Sequence, residues 1–331
     1  MKIGPHELPS PALILAPMAG FTDLPFRELC RQFGADHAVA EMTASREDLR
    51  DRTKSLTRWV EPNESGLRAI QLLGADPKVM AEAARAAEAA GADIIDINMG
   101  CPAKKVLQAE CGSALMRDEA LAGEIIRQVA EAVQIPVTLK MRSGWDGEHR
   151  NAPALARIAE EAGIAMVAIH GRTREDAFRG EAEYRTVARV KAERTIPIVA
   201  NGDIDSPAKA LAVLKETQVD GLMIGRAAIG APWIFAQIRG ALEGRVVAAP
   251  TADELLTVIR DHRARHFDYY ESPRAMRTFR KHLSAYLKPL PGAVQALPEI
   301  LREENAARQA ALVEDFLLRM SSKLAQAGQI H

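Results

Sequence analysis

Short apolar runs rich in Ile, Val and Leu recur along the first 226 residues, separated by stretches with a helical repeat. The runs are ALILAPM (12–18), HAVAEM (37–42), RAIQLLG (68–74), DIIDINMG (93–100), PVTLKMRSG (136–144), MVAIHGR (166–172), PIVANGD (197–203) and GLMIGR (221–226). Each has strand length, and runs apolar on both faces suit a buried parallel sheet. The intervening helices carry boundary signals. Asp76-Pro77 opens one and Gly91 closes it, Ser206-Pro207 opens another, and Gly34 and Gly163 close two more. Eight strand–helix units predict an α/β fold, a (β/α)8 TIM barrel with its helices outside. The competing architecture, a doubly wound sheet, uses fewer strands and often opens on a glycine-rich turn; no G-x-G-x-x-G is present.

Alternation within the runs points to chemistry. In DIIDIN, Ile95 and Ile97 share one strand face while Ile94, Asp96 and Asn98 share the other. The helix-covered side should be apolar, so Asp96 and Asn98 are expected to point into the barrel. The same logic turns Gln71, Lys140 and His170 inward, each near the C-terminal end of its strand, where barrels of this kind place ligands. One such residue is compatible with a satisfied core polar group. Several on different strands suggest a polar ligand over the barrel mouth. After strand seven comes Asn201-Gly202-Asp203, and after strand eight Gly225-Arg226. Glycines let backbone N–H groups approach an anion, and Arg226 can grip a phosphate bidentately. At this level a Schiff-base aldolase using Lys140 stays open beside an oxidoreductase.

Composition narrows the classes. The chain has 331 residues, 47% of them hydrophobic, and a formal net charge of −1. No run of about 18 apolar residues occurs, so no membrane span is expected, and the N-terminus MKIGPHELPSPALIL does not read as a signal peptide. Three cysteines, Cys30, Cys101 and Cys111, with no C-x-x-C pair, argue for a reduced cytoplasm and against a disulfide framework or a metal site. The near-neutral balance predicts no global attraction to nucleic acid, so any such binding needs a local patch.

A set of motifs completes the picture: APMAGFTDLPFR (16–27), INMGCPAKKV (97–106), LKMRSGW (139–145), IHGRTR (169–174), ANGDI (200–204) and MIGRAA (223–228). From about Ile3 to about Leu287 the sequence resembles the tRNA-dihydrouridine synthase family, of the bacterial B type, and the cysteine-bearing motif is its most specific element. The resemblance implies a flavin-binding barrel over residues 1–245 and a helical tRNA-binding domain over 251–331. It implies reduction of selected tRNA uridines by NADPH, with NADH possible, through bound FMN. It implies FMN contacts at Ala16, Pro17, Met18, Gln71, Lys140, His170, Asn201, Gly202, Asp203, Gly225 and Arg226. It implies Cys101 as proton donor and Asn98 as a uracil contact. A flavin barrel acting on a free pyrimidine or another small molecule is the nearest alternative. No protein partner is implied.

These residue types suit the reaction. Hydride addition to uracil C6 leaves C5 in need of a proton from the opposite face. A thiol, with a reference pKa of about 8.5, keeps its proton at neutral pH. The long connection after the fourth strand, residues 99–116, can carry it over the substrate. A cation such as Lys140 would stabilise an anionic reduced ring. Cys30 shares an apolar helix face with Phe26, Leu29 and Phe33 and reads as core, while Cys111, where the family more often has a small residue, receives no role.

The tail reads as helices over 251–270 and 272–287, a proline-broken segment at 288–298, and at least one more helix over 299–328. Arg274, Arg277 and Lys281 share a helix face. Alone this is a solvated basic face; the resemblance makes it a phosphate clamp for tRNA. Lys104, Lys105, Arg142, Arg172 and Arg174 are placed at the barrel mouth, either extending that basic track or paired with acids.

Overall fold

The computed structural model describes residues 1–46, 48 and 59–328. The chain opens with a small antiparallel hairpin, β1 (Lys2–Ile3) and β2 (His6–Glu7). Ile3 is fully buried against the innermost residues of the barrel, so the hairpin plugs its N-terminal end.

The barrel staves follow in order: β3 (Ala12–Leu15), β4 (His37–Ala38), β5 (Thr43–Ala44), β6 (Ala69–Leu73), β7 (Ile94–Met99), β8 (Val137–Arg142), β9 (Met166–His170), β10 (Ile198–Asn201) and β11 (Gly221–Ile224). All pair in parallel, and β11 pairs β3. Nine strands make eight staves because β4 and β5 are two halves of one. β4 pairs β3, β5 pairs β6, and between them Val39 bridges Ala69 while the Ala40 N–H donates to the Ala69 carbonyl at 3.0 Å. The eight apolar runs thus mark the eight staves, the second one interrupted and completed by Thr43–Ala44 just beyond its run.

Around them lie α1 (Leu24–Gln32), α2 (Pro77–Ala89), α3 (Lys104–Gln108), α4 (Glu119–Ala132), α5 (Ala152–Glu161), α6 (Arg185–Glu193), α7 (Pro207–Thr217) and α8 (Ile234–Leu242). The helix starts are built as their sequences dictate. The side chains of Asp23, Asp76, Asp118 and Ser206 accept the N–H groups of Phe26, Val79, Leu121 and Lys209, satisfying donors that have no intrahelical partner. The alternation sorts as expected. Ile95, Ile97, Leu139 and Ile169 face the helices in the large outer core, while Ile14, Ile94, Met166, Ala168, Val199 and Met223 fill the barrel interior.

After α8 come α9 (Ala252–Tyr269), α10 (Arg274–Leu287), α11 (Ala293–Arg302) and α12 (Ala306–Gly328). They share a core of their own that includes Leu255, Ile259, Phe279, Leu283, Ile300 and Leu317. Residues 288–298 correct the sequence expectation: the helix begins at Ala293 and runs through Pro298. Proline removes the bond its N–H would make to Val294, and Val294 is 81% exposed, on a face where water can take over that carbonyl. The tail docks on the start of the barrel. Tyr270 Oη donates to Asp23 Oδ2 at 3.1 Å, Tyr269 Oη bonds Glu61, and Phe26 packs against His262. Among the described residues, no helix is long and apolar enough to cross a membrane.

Candidate functional site

The C-terminal ends of the strands surround a cavity of about 640 Å³, within the range of cofactor and small-molecule pockets. Its wall includes Ala16, Pro17 and Met18 after β3, Gln71 on β6, Asn98 on β7, Cys101 beyond it, Lys140 on β8 and His170 on β9. Asn201, Gly202 and Asp203 after β10 and Gly225 and Arg226 after β11 complete it. All the residues expected at a cofactor site thus line one space, with Asn98 and Cys101 beside them.

Strand register makes a chain of these side chains. Gln71 lies opposite Asp96, Asp96 opposite Thr138, and Asn98 opposite Lys140. Neighbouring strands run about 4.8 Å apart, a spacing that short polar side chains bridge. Gln71 Nε2 donates to Asp96 Oδ2 at 2.6 Å, and Thr138 Oγ1 donates to Asp96 Oδ1 at 2.6 Å. With its amide N–H turned to the carboxylate, Gln71 presents Oε1 to Asn98 Nδ2 at 2.7 Å. Asn98 in turn presents Oδ1 to the backbone N–H groups of Gly100 and Cys101, at 3.1 and 3.0 Å. Asp96 therefore fixes both amides and, through them, the start of the cysteine loop. Burial raises the Asp96 pKa to about 6, against the Thr138 and Gln71 hydrogen bonds and the charge of Lys140.

Cys101 is clamped from its other side as well. Its carbonyl accepts from Ser113 Oγ at 3.0 Å and from the Ser113 N–H at 3.2 Å. Gly112 makes that closure possible, because a Cβ there would stand 2.8 Å from the Cys101 carbonyl oxygen, and its φ is +62°. The connection after β7 is thus a short helix, α3, and a 3-10 turn (Gly112–Arg117), with Cys101 half-buried at the cavity edge. Cys30 is fully buried in the outer core, and Cys111 bonds the Ala109 carbonyl outside the cavity wall.

On the far side Lys140 Nζ donates to Asn201 Oδ1 at 3.1 Å, while Asn201 Nδ2 donates to the Met223 carbonyl at 2.7 Å. Burial, helped by the charge of Arg142, lowers the Lys140 pKa to about 8, so its proton is available and responsive to a nearby anion. Burial and the cations Lys140 and Arg142 lower His170 to about 2, leaving a neutral imidazole. Gly202 has φ +118°, and a Cβ there would meet the His170 ring at 2.7 Å. The backbone after β10 can approach a ligand because no side chain intervenes.

Arg172 departs from the expectation of a tRNA contact. It is 3% exposed. Its guanidinium pairs with Asp203 at 2.6 and 2.9 Å and donates to the Arg179 and Gly180 carbonyls at 3.0 and 2.6 Å. Arg142 is likewise internal, donating to the carbonyls of Gly100, Thr173 and Ala177 at 2.7, 2.9 and 2.8 Å. Both are braces that shape the mouth from beneath. Burial tends to raise the Asp203 carboxyl, but Arg172 and the Ala182 N–H hold it below the ordinary value. Its carboxylate also receives Arg226 Nη2 at 3.2 Å. Arg226 remains largely exposed over the cavity, and Lys104 and Lys105 are exposed on α3.

Sequence reasoning missed several wall residues. Phe178 carries Arg142 and Arg226 against its ring at 5.5 and 5.2 Å and is 55% exposed. Phe21 and Met42 also line the cavity. An exposed aromatic in a polar loop (REDAFRG, 174–180) was the one available signal for Phe178. In the tail, Lys281 Nζ lies over the Phe21 ring at 5.1 Å, at the rim of the cavity, and Arg274 lies over Tyr270 at 4.7 Å. Arg277 is exposed. Arg260 pairs with Glu314, Arg265 with Asp261, and Arg263 and Arg280 bond backbone carbonyls, so those four serve the helical core rather than its basic face.

Comparison with known proteins gives the family of the chain. Residues 14–321 match the family model described as dihydrouridine synthase. The chain is 48% identical over 317 residues to tRNA-dihydrouridine synthase B of Pseudomonas aeruginosa, covering 96% of this chain and 95% of that protein. It is 48% identical over 320 residues to tRNA-dihydrouridine synthase B of Xanthomonas campestris pv. campestris, again covering 96% and 95%. Among solved structures it is similar in fold to histamine dehydrogenase from Rhizobium sp. 4-9, with a TM-score of 0.54 and 16% identity over 80% of this chain and 50% of that one.

Proposed function

This chain belongs to the dihydrouridine synthase family and makes dihydrouridine in tRNA, and we propose that it does so with FMN in the barrel-mouth cavity and Cys101 as the proton donor. It is a flavin-dependent oxidoreductase; FMN as the flavin and NADPH as the reductant, with NADH as a possible substitute, are part of the proposal. The observation that carries it is the placement of Cys101 at the edge of the same cavity as Lys140, His170, Asn201 and Arg226, on a loop clamped at both ends.

The residues present fit FMN. The cavity is large enough, and the loops after β10 and β11 offer Gly202, Gly225 and the exposed Arg226 to a phosphate. Lys140, with a responsive proton, suits the electron-rich side of the ring system. Ala16, Pro17 and Met18 supply an apolar wall, and Gln71, His170 and Asp203 complete the contacts. When bound and reduced, the flavin supplies hydride to uracil C6. Hydride addition at C6 would move the C5=C6 electron pair into an enolate on the C4 carbonyl, and Cys101 would then give its thiol proton to C5 from the opposite face, forming the C5–H bond as the enolate collapses and leaving a thiolate. Asn98 contacts the uracil and holds the cysteine loop through its carbonyl oxygen. A Schiff-base role for Lys140 falls away with the family assignment, and a free pyrimidine does not explain a basic helical tail.

Within this reading residues 1–245 are the catalytic unit and residues 251–331 hold the tRNA in the cytoplasm. Arg274, Arg277 and Lys281 lie on α10 beside the cavity rim. A folded RNA gripped through phosphates can insert one splayed base into the pocket from there. The test is direct. Acid precipitation of the protein should release FMN into the supernatant, identified by mass. The holoenzyme with NADPH and unmodified tRNA should form dihydrouridine, mapped by nucleotide position. Absence of FMN, or reduction of free uridine as fast as of tRNA, overturns the proposal.

A further inference from the structure

Where α9 and α10 meet the barrel, three histidines face one another. His262 and His266 lie one turn apart on α9, and His282 comes from α10. All three are fully buried, and one ring nitrogen from each lies within 4.8 Å of the others. Phe26 and Phe279 wall the group.

The hydrogen bonds around this nest are one-sided. His262 Nδ1 meets Tyr286 Oη at 2.9 Å, leaving Nε2 without a partner. His266 Nε2 meets Thr278 Oγ1 at 2.8 Å, and that hydroxyl donates its own proton to the Arg274 carbonyl at 2.8 Å. The proton between them therefore belongs to His266 Nε2, and Nδ1 keeps a lone pair with no hydrogen-bond partner. Neither nitrogen of His282 has one. Buried polar atoms without partners are uncommon and costly. Here four of them belong to one cluster of three histidines. The outer bonds, to Tyr286 and Thr278, are the kind that orient metal-binding imidazoles.

A carboxylate stands beside the nest. Asp23 Oδ2 lies 3.6 Å from His266 Nδ1. That is too long for a hydrogen bond, yet two ligands on one tetrahedral Zn²⁺, each about 2.0–2.2 Å from it, are separated by roughly that much. Asp23 Oδ1 is held by the Phe26 N–H at 3.2 Å and Oδ2 by Tyr270, so the carboxylate is already oriented. The charges that face the group are Asp23, Glu41, Lys281, Arg265 and Arg274.

We propose that His262, His266, His282 and Asp23 form a structural site for a divalent transition metal, Zn²⁺ by ligand chemistry, that ties the helical tail to the N-terminus of α1. Three imidazoles and a carboxylate suit Zn²⁺ and its spectroscopic substitute Co²⁺. The ligand spacing, 23, 262, 266 and 282, contains no cysteine pair, and so escaped the expectation of no metal. The site lies apart from the flavin cavity, since none of its four residues lines that wall.

The experiment uses tag-free holoenzyme from metal-replete cells. Elemental analysis should give one Zn²⁺ per chain; after chelation, added Co²⁺ should restore one ion with ligand-field bands at wavelengths beyond the flavin absorption. His282→Phe keeps the ring volume and Asp23→Asn keeps the helix cap. Both should retain flavin yet bind Co²⁺ at least about tenfold more weakly. Wild-type protein that holds no metal and takes up no Co²⁺ overturns the proposal. So does Co²⁺ binding that both variants leave unchanged.

Discussion

The barrel mouth and the histidine nest are both crowded with polar groups, and they solve the same problem differently. At the mouth the groups satisfy one another: Thr138 and Gln71 on Asp96, Asn98 on Gln71, the Cys101 loop on Asn98, Lys140 on Asn201. In the nest, four ring nitrogens have no hydrogen-bond partner. A saturated network holds its shape before a ligand arrives, which is what positioning a proton donor requires. An unsaturated one is complete only when something joins it. Substitutions at the mouth should therefore alter chemistry or loop geometry. Those in the nest should alter how the tail is attached.

The largest effect sharpens that contrast. Cys101→Ala should lower uridine reduction by about 10²–10⁴-fold, the usual worth of a positioned general acid. Flavin content and thermal stability should stay near wild type, since the loop is held by backbone groups at 101 and not by sulfur. Cys111→Ala, with its thiol turned away to the Ala109 carbonyl, should turn over normally. Single-turnover reduction of tRNA by pre-reduced enzyme measures both. Equal losses in the two variants would break the assignment.

Arginines come next. Arg172→Ala removes a buried partner of Asp203 and three further donor–acceptor contacts, so it should cost stability, about 2–4 kcal/mol in chemical denaturation. Arg277→Ala should leave stability unchanged. It should instead flatten the log–log salt dependence of tRNA affinity by about 0.7–0.9, the share of one phosphate contact. If Arg172→Ala behaved like Arg277→Ala, the buried brace would be a surface contact after all.

That pair also marks how far the sequence could be read. The eight staves were legible because strand length and apolar runs report the sheet directly, and the inward set Gln71, Asp96, Asn98, Lys140 and His170 followed from a period of two. The motifs added Ala16, Pro17, Met18 and Cys101, while Phe21, Met42 and Phe178 went unread. Arg172 was not legible: its partner, Asp203, is 31 residues away and meets it only through barrel closure. Phe178 and the His262–His266–His282 nest were missed for a related reason. The i, i+4 pair on α9 is local, but His282 and Asp23 come from other elements, as do the two arginines that lie against Phe178. The helix over Ala293–Arg302 was lost to a local rule, because Pro298 reads as a breaker unless the solvent face is known.

A smaller effect probes the relay itself. Asp96→Asn removes the charge that orients Gln71. The new amide can turn an N–H toward Gln71, flipping that amide and presenting N–H where Asn98 now donates. Turnover should fall by about tenfold, with most of the loss in kcat, because the cysteine loop shifts while the phosphate loops stay in place. Asp96→Asn with unaltered kcat would mean that Asn98 holds the loop without help.

The smallest effect is in pH, and its sign separates the two regions. The buried mouth lowers Lys140 to about 8 from an ordinary 10.5. Between those values the unfolded chain keeps a proton that the folded apoprotein has lost, so the stability of the apoprotein should rise with pH across that window. One proton limits the slope to about 1.4 kcal/mol per pH unit, and solvent at the open mouth reduces it further. Asp23, in the nest, acts in the opposite sense lower down. Burial raises it to about 6 from 3.8, so the metal-free protein should lose stability as pH rises through that range. Asp96 contributes the same way, which makes the alkaline window the cleaner test. Denaturation midpoints of flavin-free wild type and Lys140→Met, compared at pH 8 and near pH 10, isolate the lysine. Wild type should gain relative to the variant as pH rises. Bound flavin, by adding negative charge beside the ammonium, should shrink that gain. A gain that is the same with and without flavin would place Lys140 away from the anionic part of the cofactor.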